Sequence, residues 1–472
     1  MTAAAEPTIW DRSRLGITVG TVVLIFLAAI ESLAVTTVMP IVARDLDGEA
    51  LFAVAFSATI STGVIGMVAV GAWSDRSGPR APLYTAVALF AAGLLVSGFS
   101  SDMHTFILGR LIQGLGAGGQ TVALYVVVAR VYPPQLHGRI FAAYAAAWVV
   151  PSMIGPFLAG AVTEYLHWRW TFLGVAVLTA AAFALVVSRL RGVSLDADAG
   201  SDADGVADAA EPPRGGIALR MLLAVLVAAG AVTVGLAADA PAAAGGPIAL
   251  AAVLVIGFSL LPLLPKGTLR AVSGLPSTIL MRGIVAGAFF AAEAYVPKLL
   301  IDRFGFSPTV AGLALTLAAI GWSGASAVQG RYGDRLGSAR ITWIAVLLML
   351  TGVAGLLFVS ALGADPWIVI LAWGLAGAGM GLLYPRLTVL TLAYSTTANE
   401  GFNSAALSIF EASGSAVTIA LAGLGFALLP VLGTGYLTVY LLAGVLLLIS
   451  LVPGLRMGDG AGTAVSAEGA PR

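Results

Sequence analysis

The chain has 472 residues, 59% hydrophobic and only 10% charged, with Lys plus Arg and Asp plus Glu cancelling at 24 each. Soluble domains carry about 25% charged residues, so the composition excludes a water-soluble fold and predicts an all-α polytopic membrane protein. The absence of cysteine excludes disulfides, thiol chemistry and thiolate metal sites.

After the polar MTAAAEPTIWDRSR, the apolar run of about 26 residues is too long for the 7–15-residue core of a cleaved signal and reads as a retained first span. A membrane helix needs about 20 apolar residues. By that measure spans fall near 15–40, 51–73, 82–100, 104–129, 138–163 and 169–188. Two further apolar runs lie at 219–238 and 246–264, and six more near 275–300, 308–330, 340–362, 366–390, 402–428 and 433–453. Helices are expected throughout, because barrel strands would be short and alternating. The reading is fourteen transmembrane helices in five segments. Residues 1–191 form an N-terminal six-helix half, 192–218 an acidic flexible linker and 219–270 two extra helices. Residues 271–457 form a C-terminal six-helix half, and 458–472 a disordered tail.

The linker contains part of a calcium-loop pattern. With Gly205 at the sixth position, Asp202, Asp204 and Glu211 fall on the third, fifth and twelfth, but Gly200 at the first cannot ligate. No amphipathic helices flank it, so a solvated linker is expected. His104, His137 and His167 lie at span ends on both sides and cannot form one metal site.

With both termini placed in the cytoplasm, most Lys and Arg residues, Arg282 among them, fall on the inner side. Arg44, Arg169, Lys298 and Arg303 fall outside, and Arg110 lies within a span. This is the positive-inside bias. Two inner loops match. Gly71-Ala-Trp-Ser-Asp75-Arg76-Ser-Gly78-Pro-Arg80 repeats as Gly330-Arg-Tyr-Gly-Asp334-Arg335-Leu-Gly337-Ser-Ala-Arg340. Each lies between the second and third span of a half. Two six-span halves in parallel orientation are a transporter architecture, with the site between them at mid-membrane. Gly71 permits close helix approach. Asp75 is placed to meet a helix N-terminus, with the span start at Gly401-Phe-Asn403-Ser404 as acceptor, latching the halves on the inner side.

These features resemble the major facilitator superfamily and, within it, the fourteen-span drug:proton antiporters. The resemblance covers nearly the whole chain. Gly71, Asp75, Arg76, Gly78 and Arg80 look like its signature loop, with Trp73 where Leu is usual. Arg110-Leu-Ile-Gln113-Gly114 is similar to its Arg-x-x-Gln-Gly motif. Pro151-Ser-Met-Ile-Gly155-Pro156-Phe-Leu-Ala-Gly160 resembles the antiporter motif Gly-Pro-x-x-Gly-Gly, with Pro151 for an upstream Gly and Ala159 for the first paired Gly. Trp168-Arg-Trp-Thr-Phe is similar to the family's Trp-Arg-Trp-x-Phe. In the first helix the family often carries Asp-x-Thr…Pro with nine residues from Asp to Pro, the spacing of Glu31 to Pro40.

Glu31 stands about 16 residues into the first span, about 24 Å along a helix rising 1.5 Å per residue. Burial favours the protonated acid and a nearby guanidinium favours the ionised one. A carboxylate switched between these states by access and by cationic substrate is what proton antiport requires. Glu31 is thus the candidate proton-coupling acid and Arg110 its modulator; the bland reading is a structural pair. Glu293 and Glu411 are two further intramembrane acids with the same candidate role. For Glu293 the alternative is an outer-vestibule pair with Lys298, and for Glu411 helix packing.

Gln113, Tyr144, Trp148, Phe289, Tyr295, Trp322 and Phe410, with Phe141 and Phe290, are expected to line an apolar, aromatic cavity suited to lipophilic, often cationic, solutes. Few Asn and Gln lie in the spans, which disfavours a sugar site. No phosphate loop, nucleophile elbow or metal motif occurs, so no enzyme is expected and no cofactor beyond the coupling proton. The expected partners are small-molecule substrate, protons and the lipid bilayer, with no nucleic acid, and the chain is expected to be monomeric. Its Ala-, Gly- and Val-rich composition, with only Lys266 and Lys298 as lysines, fits a bacterial cytoplasmic membrane. The reading is a proton-coupled multidrug exporter. The alternatives are a dedicated metabolite or lipid exporter, a proton symporter of the same fold, or a non-transporting membrane sensor.

Overall fold

Apolar runs in lipid must satisfy every backbone group internally, and the helix does so within one segment. The computed structural model follows this rule and is all-helical among the described residues. It describes residues 8–11, 14–190, 216–237, 242–395, 400–428 and 435–458, without the side chains of Asp75, His137, Arg220, Asp334, Gly401 and Phe402, among others. The acidic linker with its calcium pattern, the tail after residue 458, and the Asp75 side chain, whose contact is expected at the span start Gly401-Phe-Asn403-Ser404, lie outside the described residues and side chains.

The helices are α1 (Leu15–Asp45), α2 (Phe52–Ser77), α3 (Arg80–Gly98), α4 (Met103–Val131), α5 (Pro134–Tyr165) and α6 (Arg169–Leu190). Then come α7 (Ile217–Leu236), α8 (Ala242–Leu260) and α9 (Leu275–Phe304). The helical stretch Pro308–Leu362 holds two membrane-length helices, α10 (Pro308–Gly333) and α11 (Arg335–Leu362), with a kink at the non-helical Gly337 just inside α11. The last three are α12 (Trp367–Ala393), α13 (Glu400–Leu428) and α14 (Gly435–Gly454). Thirteen are long and apolar enough to cross a membrane; in α7 the apolar stretch is shorter, Met221–Leu236. Local signals set several ends. The Asp102 carboxylate caps α4 by accepting from the Thr105 N–H at 2.9 Å. Pro134 opens α5, and Gly305, left-handed at φ 68°, closes α9.

The chain forms two compact units. The first comprises Met1–Glu49, Thr62–Val206 and Ser307–Gly312, and the second Ala50–Ser61, Ala207–Phe306 and Leu313–Arg472. Helix α2 is therefore divided between the two, as is α10, whose first residues belong to the first unit.

In the first unit α1 lies along α5 and α6, and α3 along α4 and α6. Small residues set the spacing. A Cβ on Gly118 of α4 would stand 1.9 Å from the Gly63 carbonyl oxygen of α2, and one on Gly116 would stand 2.2 Å from the Phe90 nitrogen of α3. The glycines after Arg110 thus seat α4 backbone-to-backbone on two neighbours. Trp168 donates from Nε1 to Asp45 Oδ2 at 2.8 Å, and Arg169 donates from Nη2 to the Ser100 carbonyl at 2.8 Å. These bonds tie the start of α6 to the end of α1 and to the turn after α3.

In the second unit α9 packs on α12, α13 and α14. Helices α7 and α8 pack on each other, and with α9 and α13 they bury a cluster that includes Val227, Ala231, Ile256, Ile279, Leu407 and Phe410. The two extra helices thus have a defined seat on α13.

The repeat seen in the sequence is also a repeat of backbone shape. Gly78 (φ 75°) and Gly337 (φ 73°) both take positive φ, where a side chain is disfavoured, so each signature loop turns at the glycine of its Asp-Arg-x-Gly. Arg80 at the end of the first loop donates from Nη2 to the Leu190 carbonyl at 2.8 Å.

Candidate functional site

The first unit buries a three-residue polar group. Arg110 Nη1 of α4 donates to Glu31 Oε1 of α1 and to Gln113 Oε1, one turn along its own helix, at 2.7 Å. Glu31 is 2% exposed and Arg110 4%. Sequence spacing places these residues in separate spans; the close α3–α4 and α2–α4 packing fixes α4 so that its Arg faces α1. Gln113 Nε2 is buried with no hydrogen-bond partner among the described residues. An unmatched buried donor costs about 1–3 kcal/mol, and here it sits beside the ion pair, positioned to receive an acceptor. Further along α4, Gln120 Nε2 donates to the Leu24 carbonyl of α1 at 3.2 Å.

Helix α5 passes the same region. A Cβ on Gly155 would lie 3.9 Å from Leu33 Cβ and 4.0 Å from the Ile30 carbonyl oxygen, on either side of Glu31. The rest of the Gly155-Pro156…Gly160 segment meets the first turn of α10. A Cβ on Gly160 would stand 2.5 Å from the Pro308 carbonyl oxygen, and one on Gly312 would stand 2.6 Å from that of Pro156. Thr309 Oγ1 donates to Glu164 Oε2 at 2.6 Å nearby. Tyr144 is buried against Tyr125 and Phe141, at centroid distances of 6.4 and 6.2 Å. Trp148 is exposed.

The second unit holds a different constellation. Arg282 of α9 donates from Nε to Glu411 Oε2 of α13 at 2.8 Å, and its Nη2 also stands 2.8 Å from that oxygen. Its Nη1 donates to the Tyr384 carbonyl of α12 at 3.1 Å. The guanidinium carbon lies 3.5 Å from the centre of the Tyr384 ring. From there an aromatic run continues: Tyr384 to Trp322 at 5.0 Å, Trp322 to Phe289 at 5.7 Å, and Phe289 stacked on Trp373 at 4.8 Å. Phe290 packs edge-on against Phe289 at 5.5 Å. Phe289 and Trp322, expected on a cavity wall, thus pack on each other, with Phe289 buried and Trp322 half-buried.

Other expected residues lie elsewhere. Tyr295 is buried between Phe52 and Phe426. Phe410 packs against Gly283 and within the α7–α8 cluster. The expected Glu293–Lys298 pair does not form. Lys298 Nζ instead donates to Asp302 Oδ2 at 2.7 Å and lies 5.2 Å from the Phe52 ring centre. The reason is helical geometry, since Asp302 is four residues on and shares the Lys298 face, whereas Glu293 is five back. Glu293 itself is half-buried with no ion pair among the described residues. The second loop contributes Gly330 and Arg335 to a cavity of ≈ 320 Å³ shared with Gln329, Arg331, Arg386 and Val389; Arg76 and Arg340 are exposed.

The sequence reading missed Arg282, Tyr384 and Trp373. Arg282 was assigned to the inner edge, yet Pro276 at the start of α9 marks a helix origin that puts it two turns inside the span. Arg386, likewise assigned to the inner edge, is buried in α12 and donates from Nε to Ser338 Oγ at 3.0 Å.

A profile described as the Major Facilitator Superfamily matches residues 21–419. A probable multidrug-efflux transporter of Mycobacterium tuberculosis is 27% identical over 82% of this chain and 82% of its own length. An MFS efflux transporter of Aspergillus oryzae is 33% identical, but over 36% of this chain and 32% of its own. The match to an acurin A biosynthesis cluster transporter of Aspergillus aculeatus, 29% identical, likewise spans only 30% of that protein. Among solved structures, a D-xylose–proton symporter superposes with TM-score 0.65 at 15% identity, over 95% of this chain and 98% of its own. A POT peptide transporter superposes with TM-score 0.66 at 14% identity, over 94% and 95%. The profile match, the all-helical fold and the paired signature loops agree: this multi-pass membrane protein belongs to the Major Facilitator Superfamily.

Proposed function

We propose that the chain is a proton-coupled exporter of lipophilic, often cationic small molecules, working by alternating access in a bacterial cytoplasmic membrane with both termini inside. The observation that carries this reading is the buried Glu31–Arg110–Gln113 group. An acid inside a membrane span is costly and marks a relay or substrate path by default. Glu31 has one strong partner, so its charge state depends on whether Arg110 is held against it. Protonation of Glu31 breaks its pair with Arg110, leaves the guanidinium to Gln113 and removes the negative charge that favours a cation nearby; deprotonation restores the pair. That exchange is the elementary step of coupling. The mycobacterial relative and the aromatic run in the second unit support a lipophilic substrate.

The test is a proteoliposome assay with an imposed pH gradient, following internal pH as lipophilic cationic dyes are added. The reading predicts dye-triggered proton flux in wild type and its loss in Glu31→Gln. Dye transport without proton movement would refute the coupling.

A further inference from the structure

Arg282 is held in an unusual way for a structural ion pair. Its guanidinium meets one carboxylate oxygen from α13, Glu411 Oε2, a backbone carbonyl from α12 at Tyr384, and the face of the Tyr384 ring 3.5 Å away. A carboxylate, a carbonyl and an aromatic face are together what a protein offers a bound organic cation. The side chains keep 13% and 27% of their surface, for Arg282 and Glu411 respectively, so the pair is open on one side. From the Tyr384 ring the aromatic run passes to Trp322, which is half-buried and extends the same surface for an apolar body attached to the charge; the buried Phe289 and Trp373 back it from inside.

We infer that Glu411 and Tyr384 form a cation subsite that Arg282 fills as a tethered occupant, and that aromatic lipophilic cations bind there by displacing its guanidinium. This rests on the export reading above and names the subsite and the residue that sets its occupancy. The guanidinium is weakly hydrated and sits on a flexible stem, so it yields the position to a ligand whose rings also cover Trp322. Arg282 then acts as a threshold. Only cations that gain enough aromatic contact outcompete it, which selects large flat or tetraaryl cations over small ones.

The test uses purified full-length protein and two probes. Equilibrium dialysis measures tetraphenylphosphonium binding, and thermal unfolding measures stabilisation by methylguanidinium. Arg282→Ala vacates the subsite. Tetraphenylphosphonium is expected to bind at least about tenfold tighter than to wild type, and methylguanidinium to raise the Tm of Arg282→Ala but not of wild type or of Arg282→Met/Glu411→Gln. Glu411→Gln is expected to weaken tetraphenylphosphonium binding about tenfold. Equal or weaker tetraphenylphosphonium binding in Arg282→Ala, or no selective rescue by methylguanidinium, overturns the inference. If no variant binds tetraphenylphosphonium while methylguanidinium still stabilises Arg282→Ala alone, the cation subsite stands and the lipophilic-cation reading fails. If Arg282→Ala does not fold, Arg282→Lys replaces it. The ammonium lacks the bidentate fork and holds the subsite less firmly, so tetraphenylphosphonium binds several-fold tighter than to wild type; equal or weaker binding overturns the inference.

Discussion

Arg110 Nη1 donates at once to Glu31 Oε1 and Gln113 Oε1. The guanidinium is therefore shared between an ionisable acceptor and a neutral one. When Glu31 is neutral, Arg110 keeps a hydrogen bond but loses its counter-charge. Removing one partner of a buried ion pair costs about 3–5 kcal/mol, whereas replacing both by apolar groups of similar size is often neutral. Glu31→Ala should therefore lower unfolding stability by that order, and Glu31→Leu/Arg110→Met should recover most of the loss. Thermal unfolding in detergent, monitored by the loss of monodisperse protein, checks the pair.

The helix packing around Arg110 gives a second expectation. Gly118→Ala places a methyl 1.9 Å from the Gly63 carbonyl oxygen, which backbone must move to relieve. Overpacking of this kind costs about 1–3 kcal/mol. It should also displace Arg110 from Glu31, so transport should fall more than the stability loss explains. Parallel measurement of Tm and dye efflux separates the two.

The signature loops differ glycine by glycine. Gly337 sits at φ 73°, ψ 157°, a region open essentially to Gly alone, so Gly337→Ala should destabilise by about 1–3 kcal/mol. At Gly330 an added Cβ meets nothing within 4 Å. Gly330→Ala should therefore leave stability unchanged or raise it by up to about 1 kcal/mol through helix propensity. Loss of folding in Gly330→Ala would show a packing demand at this motif position that the described contacts lack.

Asp102 caps α4 from outside the membrane span. Hydrogen bonds from the Thr105 N–H and hydroxyl, with a smaller contribution from His104, hold its carboxyl below the usual carboxylate range. The sign follows directly: a lowered native value gives stability that is complete above the unfolded value, near 3.8, and is lost as pH falls through the native one. The Tm of wild type should fall faster than that of Asp102→Asn between about pH 4 and 3. Parallel pH dependences would mean the cap contributes nothing.

Much of this was legible in the sequence because lipid enforces a simple grammar. Apolar length gave the helices, and most ends moved outward by a few residues because helices continue through the interface to a cap such as Asp102 or a terminator such as Gly305. The Asp-Arg-x-Gly repeat predicted matching loops, and the positive φ of Gly78 and Gly337 is the physical content of that match. Glu31 and Arg110 were legible as charges without water. Their pairing depends on α4 being seated by Gly116 and Gly118, which no single span reveals. Arg282 was misread because a base within two turns of a helix start looks like a positive-inside residue even when, as here, it lies inside the span that begins at 275. The roles of Phe410 and Tyr295 were not legible, since an aromatic on a span shows no sign of which neighbour covers it. The seat of α7 and α8 on α13 was likewise invisible, because their apolar faces match many helices equally.

The most direct test of coupling is substrate-triggered proton flux in Glu31→Gln, in proteoliposomes under an imposed pH gradient, with dye binding measured on the same preparation. The account predicts retained dye binding with proton flux abolished, because the amide fills the carboxylate's place without carrying its proton. Proton flux equal to wild type in folded Glu31→Gln would contradict it and leave Glu31 as a structural partner of Arg110.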